Sequence, residues 1–329
     1  IDEIESGSID RYLEVFDLCT SSDFSENENM EDFYQVVEEE SYIDVFAIQM
    51  FASNNDMLPK NTIWWRHKGD SSEDDRFHSI LIDLDKSWGS PLASETSSPT
   101  YDMVERFLGE TTPEDLVPYL VCFRNAVQNL DFRNRFINRS ADMMNSYLQP
   151  SRTTSIIEAT REAYQPHYEE HIERWNGNNN VQSIEQWNFM VDTMISFAHQ
   201  RSFFHREHIS EFFETDGFYE LVLDVSDADQ GFIHVNTITI NSETPGIPEA
   251  TYPLEGIYFN NVPITISAIP KEGYVFSHWE GGLESALSSE EFTFSGDSVY
   301  IKAIFELDTS LTVLEDCDSN LFSIYHNQT

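Results

Sequence analysis

Ser53-Asn54-Asn55-Asp56-Met57-Leu58-Pro59-Lys60-Asn61, then Thr62-Ile63-Trp64-Trp65-Arg66, then Ser79-Ile80-Leu81-Ile82-Asp83-Leu84-Asp85 form the stretch on which the reading of this chain turns. It starts where helical spacing ends. Residues 31 to 53 set Phe33, Val36, Val37, Tyr42, Ile43, Phe46, Ile48, Met50 and Phe51 at intervals that predict a buried helix. The two short runs rich in Ile and Trp, separated by the polar turn from Gly69 to Asp75, predict a β-hairpin. On a strand, Asp83 and Asp85 lie two residues apart and point to the same side.

This inventory suits phosphoryl transfer. That chemistry needs a carboxylate to orient and deprotonate the attacking hydroxyl, an Asn a few residues on to hold a metal, and a further Asp to bridge Mg²⁺ to the phosphates. Asp56 precedes Asn61 at the Asp-x-x-x-x-Asn spacing of protein-kinase catalytic loops, and the later Asp-x-Asp follows at a compatible distance. The bland reading is chance: with 59 acidic residues, Asp five places before Asn is common, and Asp-x-Asp often marks a solvated turn. Context favours function. The acids adjoin Ile80-Leu81-Ile82 and Trp88-Gly89, which are core-like, and burying unpaired carboxylates costs several kcal/mol.

Outward from this stretch, the first two hundred residues read as helical. Residues 8 to 18, 131 to 148 and 151 to 175 show the period, Thr112-Pro113-Glu114-Asp115 is a helix-start signal, and Ser183-Ile184-Glu185-Gln186 opens a long helix to about His208. Its stripe of Trp187, Met190, Met194, Phe197 and Phe204 is read as helix–helix packing. Past Thr215-Asp216-Gly217 the period becomes alternating. Strands are expected over 220–225, 232–240, 262–269, 274–279 and 299–305, punctuated by Pro245-Gly246, Glu272-Gly273 and Gly281-Gly282. The fold class is α+β, with a small antiparallel β-module following the helices.

Composition limits the partners. Eighteen Lys plus Arg against 59 Asp plus Glu give a formal net charge of −41, a field that repels nucleic acid and anionic lipid. No run of about 18 apolar residues predicts a transmembrane segment. Hydrophobic residues at 40% suffice for a packed core. Cys19, Cys122 and Cys317 form no CxxC pair; Cys122, in an apolar run, is expected to be a buried free thiol, and neither a disulfide framework nor a zinc site is indicated. His199, His205 and His208, and His167, Glu170 and His171, are read as structural or solvated helix positions. Arg133, Arg135 and Arg139 are expected to pair with surplus carboxylates, and Glu38-Glu39-Glu40 to be a charged helix face or loop.

The conjunction of Asp56, Asn61, Trp65-Arg66, Asp83-Leu84-Asp85 and Trp88-Gly89 resembles the spore-coat CotH-type kinase family. The resemblance continues through Phe132-Arg133-Asn134-Arg135-Phe136-Ile137-Asn138-Arg139, the helix from Ser151 to Ala163 and His171-Ile172-Glu173-Arg174-Trp175, covering roughly residues 8 to 212. It implies an exported or surface-borne atypical kinase that phosphorylates protein Ser or Thr with ATP and Mg²⁺. Asp56 would be the catalytic Asp, and Asn61, Asp83 and Asp85 the metal- and cofactor-binding set. It also implies an N-terminal lobe with a phosphate-binding Lys and a glycine-rich strand pair. Before Tyr42 there is no Lys and the only Gly is Gly7, so this chain is expected to lack that lobe and to be an inefficient kinase alone.

The expected organisation is a mainly helical protein-kinase-like C-lobe with a short hairpin over residues 1–212, the β-module over 217–307 and a tail or linker over 308–329. The run from Gly256 to Pro270, with Gly273 to Trp279 and Ala303-Ile304-Phe305, resembles the repeat modules of bacterial surface proteins, which implies adhesion or spacing. The expected partner is a protein substrate, Lys/Arg-rich in view of the charge. The rival expectation is a non-catalytic surface or matrix assembly component built on a kinase-like scaffold.

Overall fold

Helix α3 (Glu39–Phe51) buries residues on every side, including Tyr42, Ile43, Phe46, Met50 and Phe51, and the helical region is arranged around it. A helix that is apolar all round belongs inside a core. The computed structural model describes residues 9–54, 56–57, 61–67, 74–90, 97–109, 118–175, 181–248 and 251–309. Among these the fold is α+β: eight helices, a two-stranded hairpin and two four-stranded sheets.

Aromatic packing joins α3 to its neighbours. Phe46 stacks on Phe123 with ring centroids 3.8 Å apart, Tyr42 meets Phe123 edge-on at 5.5 Å, and Phe123 meets Phe136 at 5.2 Å. Phe123 belongs to α5 (Pro118–Ala126) and Phe136 to α6 (Leu130–Asn145). Such pairs add roughly 0.5–1.5 kcal/mol each beyond the area they bury. Phe107 of α4 (Met103–Leu108) closes the same cluster against Phe46.

The single helix predicted over residues 31 to 53 is two: α2 (Asn27–Tyr34) and α3. The chain breaks between them because it pairs with the segment entering the hairpin. Glu38 N donates to Phe77 O at 2.8 Å, and Phe77 N donates to Val36 O at 2.8 Å. Glu38 then caps α3, its carboxylate accepting from Ser41 N at 2.8 Å and Glu40 N at 3.1 Å. Glu38 is therefore the N-cap of α3, a role other than the charged helix face or loop expected of the acidic run, and Glu39 pairs with Arg135 at 2.9 Å. The predicted helix start at Thr112 lies outside the described residues.

Cys19 of α1 (Asp10–Ser21) and Cys122 of α5 form a disulfide, with Cα atoms 4.9 Å apart and a sequence separation of 103. This corrects the expectation of a free thiol at Cys122. The two cysteines meet because α1 lies on α5, a tertiary contact that no local spacing announces. Asn125 adds a side-chain hydrogen bond to Cys19 O.

Helices α7 (Pro150–Trp175) and α8 (Ile184–Phe213) run alongside one another, with Tyr168 stacked on Trp187 at 4.5 Å. Ser183 caps α8 by accepting from Gln186 N at 3.1 Å. The α8 stripe does pack as expected at Phe197, which is buried against Phe51 and Trp88, whereas Met194 is exposed. Arg201, fully buried on α8, holds the C-terminal end of α3. Its guanidinium donates to Met50 O and Phe51 O at 2.7 Å each, and to Pro99 O and Tyr101 O at 2.8 Å each. Met50 and Phe51 lie in the last turn of α3, where carbonyls lack the usual i+4 helical donor. Burial lowers the Arg201 pKa to about 9, which leaves it cationic at neutral pH.

The β-module pairs strands in the orders β6-β3-β10-β8 and β5-β4-β7-β9. These are β3 (Phe218–Val225), β4 (Gly231–Val235), β5 (Ile238–Ile240), β6 (Leu254–Phe259), β7 (Ile264–Pro270), β8 (Tyr274–Gly281), β9 (Ser289–Phe292) and β10 (Ser298–Leu307). Alternation buries Leu221, Leu223, Ile233, Val235, Ile264, Ile266, Ile301 and Ala303 between the sheets. Most pairings are antiparallel, as expected; β3 and β10 are parallel, with Glu220 opposite Ser298. Sequence reading passed over β6 and β9.

The module is joined to the helical region through polar residues of α6. The Asp142 carboxylate accepts from Thr237 N at 2.9 Å, Thr237 Oγ1 at 2.6 Å, Tyr258 Oη at 2.9 Å and Asn236 Nδ2 at 3.3 Å. Asn145 exchanges two 3.0 Å bonds with the backbone of Ile257, and Asn138 donates to Pro263 O at 2.8 Å. Gly246 lies against Ser146. Its φ of +91° and the 1.9 Å that would separate an added Cβ from Ser146 O both require glycine.

Candidate active site

The C-terminal end of α3 delivers the first acid. After Phe51 the chain turns through Ser53, at φ +55°, into Asn54 and then Asp56. Asn61 closes this loop, its Nδ2 donating to Asp56 O at 2.9 Å and reaching Asp56 Oδ2 at 3.4 Å, while Asn61 N donates to Met57 O at 2.9 Å. The Asp-x-x-x-x-Asn spacing is thus a braced loop in which the Asn side chain positions the Asp.

The other two acids arrive from the hairpin. Strand β1 (Ile63–Trp65) pairs antiparallel with β2 (His78–Ile80), Ile63 opposite Ile80. The pairing ends there, so residues 81–84 are not strand, and the expectation that strand alternation aims Asp83 and Asp85 is corrected. A kink does the work. Asp83 has φ +53°, a left-handed conformation that Asp tolerates better than most residues.

The loop beyond is tied to the helices. Trp88 N donates to Ala52 O at 2.9 Å, and the Trp88 ring packs against Phe51 and Phe197 at 5.8 and 5.3 Å. Gly89 has φ +75°, and an added Cβ would meet Thr193 Cγ2 at 3.1 Å, so α8 leaves room there for glycine.

With this framing, one carboxylate oxygen each from Asp56, Asp83 and Asp85 lies within 4.8 Å of the others. Lys86 Nζ sits 2.9 Å from Asp56 Oδ2. The Asp83 carboxyl is pushed above its usual range, first by a hydrogen bond to Asp85, then by desolvation and the charges of Asp85 and Asp56, with Lys86 pulling the other way. Lys86 is held protonated above its usual range, chiefly by its bond to Asp56. Three hard oxygen donors that repel one another are the donor set a divalent cation such as Mg²⁺ takes, so these residues fit that ion.

Asp56, Asn61, Asp83 and Asp85 are thus all brought together, from segments up to 29 residues apart. Sequence reasoning missed Lys86, and it missed the buried amides of Gln49 and Asn54 beneath the acids. Gln49 could have been noticed as a lone polar residue in an apolar helix. His205 is buried against Phe51, and Arg139 makes a bidentate pair with Asp44 at 2.6 and 3.0 Å, in line with the structural roles expected of both.

A family model described as CotH kinase protein matches residues 2–204, and one described as Divergent InlB B-repeat domain matches residues 237–309. The second match leaves out β3 and β4, although β3 lies inside one of the two sheets. No curated protein and no solved structure matches the chain.

Proposed function

The chain belongs to the CotH kinase protein family, and from that premise we propose that Asp56, Asp83 and Asp85 serve ATP-dependent phosphoryl transfer to a hydroxyl of a protein substrate. The observation that carries this reading is the convergence of the three carboxylates, with Asp56 braced by Asn61 and paired with Lys86.

In this reading Asp56 orients the substrate hydroxyl and accepts its proton, the role a carboxylate plays in kinase catalytic loops. Asp83 and Asp85 hold Mg²⁺, with Asn61 as a further oxygen donor. Bound Mg²⁺ supplies neutralisation of the phosphate charge. Lys86 places the one cation seen at the trio, among the described residues, where the negative charge of ATP would otherwise meet Asp56. The remaining field, from a net charge of −41, favours Lys/Arg-rich protein targets.

Export to a surface is supported by two features. The Cys19–Cys122 disulfide suits an oxidising compartment. The C-terminal module resembles a bacterial surface repeat. Among the described residues no helix is long and apolar enough to cross a membrane. Residues 1–212 and 217–307 are proposed as the catalytic and repeat-like units, with the α6 contacts making the second a support for the first.

The test is transfer of labelled phosphate from ATP to protein by the longest natural polypeptide containing this chain, with and without Mg²⁺. Asp56→Asn is expected to lower the rate by roughly 10²–10⁴-fold, as removal of a general base does. Transfer that is unchanged in Asp56→Asn would remove the role assigned to this residue. No transfer at all, from a folded protein that still binds Mn²⁺, would favour the assembly role.

A further inference from the structure

The acids rest on a buried amide, Asn54, that sits in the turn leading to Asp56 and reaches across to the segment carrying Asp83. Asn54 is 0% exposed. Its Oδ1 accepts from Asp56 N at 3.1 Å, while its Nδ2 donates to Asp83 O at 2.9 Å and to Gln49 Oε1 at 2.8 Å. Gln49, also 0% exposed, donates from Nε2 to Ile82 O at 3.3 Å. One side chain therefore bonds the backbone of both carboxylate-bearing segments, and a second fixes which way round the first sits.

Only an amide can do this, because the site needs an acceptor and a two-hydrogen donor on one short planar group. Aspartate would turn two of the three contacts into repulsions between oxygens. Alanine would leave Asp56 N and Asp83 O without their partner. The held carbonyl belongs to Asp83, the residue at φ +53°, where the backbone needs outside support to keep its kink.

We propose that Asn54, oriented by Gln49, is the positioning residue that sets the separation between Asp56 and the Asp83–Asp85 pair, and thereby the strength with which the three carboxylates hold a divalent cation. This rests on the reading of those carboxylates as a cation site. Groups beneath metal ligands typically change metal affinity 10–100-fold when removed.

The experiment is a Mn²⁺ titration of the 329-residue chain, with free Mn²⁺ counted by electron paramagnetic resonance and folding followed by circular dichroism. Asn54→Ala is expected to weaken Mn²⁺ binding by roughly 10–100-fold. A structural role alone would lower the melting temperature and leave the Mn²⁺ affinity of the folded protein unchanged; that result overturns the proposal. Gln49→Glu keeps the acceptor for Asn54 and removes the donor to Ile82 O. If Asn54→Ala does not fold, a loss of affinity in folded Gln49→Glu supports the proposal, and an unchanged affinity overturns it. Wild-type protein that binds no Mn²⁺ would instead fail the cation-site reading itself, and the proposal with it.

Discussion

Asp142, on the helix that faces the β-module, and Asp83, at the kink beyond the hairpin, both have carboxyl groups held above their usual range, and the causes are opposite. Asp142 is fully buried. Desolvation pushes it up to about 6, against the bonds from Thr237, Tyr258 and Asn236 that favour its ionised form. Asp83 lies at the surface, and its neighbours in the first rank are other acids, Asp85 and Asp56. The first carboxylate has every lone pair answered by a fixed donor, and nothing is left for a ligand. The second is left with repulsion that a cation would relieve. Compensation within the chain is what a structural charge requires; the partial compensation at Asp83, by Lys86 alone, leaves room for a cation.

The largest effect is expected at the α6 junction. Asp142→Ala leaves Thr237 N, Tyr258 Oη and Asn236 Nδ2 facing an apolar methyl. It is expected to cost about 4 kcal/mol, measured by urea unfolding, with Mn²⁺ binding at the acid trio retained by the folded fraction. A cost near zero would show that the junction does not depend on this charge.

A second, smaller effect is a pH dependence. Asp142 ionises near 3.8 in the unfolded chain and about 6 in the folded one. Between those values the folded state keeps a proton that the unfolded state has released. The stabilisation is therefore complete below about pH 4 and is lost as the pH rises through about 6. The gap between the two ionisation points is worth about 3 kcal/mol. The stability of wild type relative to Asp142→Asn is expected to fall by about that much across this window, read by unfolding curves at each pH.

The smallest effect on stability, and the opposite sign, is expected at Asp83. Asp83→Asn removes repulsion among three carboxylates, so the melting temperature should rise slightly while Mn²⁺ binding is lost. A fall in melting temperature with binding intact would place Asp83 with Asp142, as a structural charge.

Much of this was legible because the decisive signals were local. The Asp56–Asn61 spacing, the Asp83-Leu84-Asp85 pair and Trp88-Gly89 lie within 34 residues, and alternation revealed most strands of the module. What could not be read depended on partners far along the chain. The break before α3 exists because Phe77 pairs with Val36 and Glu38. The disulfide exists because α1 lies on α5. Asp142 and Asn145 look like ordinary polar helix residues until the β-module, some hundred positions later, supplies their partners. The convergence of Asp83 and Asp85 was expected for the wrong reason: a left-handed residue, not strand alternation, aims them.

The Cys19–Cys122 bond closes a covalent ring around the whole candidate site, since Asp56, Asn61, Asp83, Asp85 and Lys86 all lie between its two ends. A single cut of the backbone anywhere inside that ring would leave one molecule, not two pieces. Where proteases are present, the ring would convert nicking from a loss of the acid trio into an opened loop whose ends stay tethered. On a gel such a molecule would fall apart only after reduction.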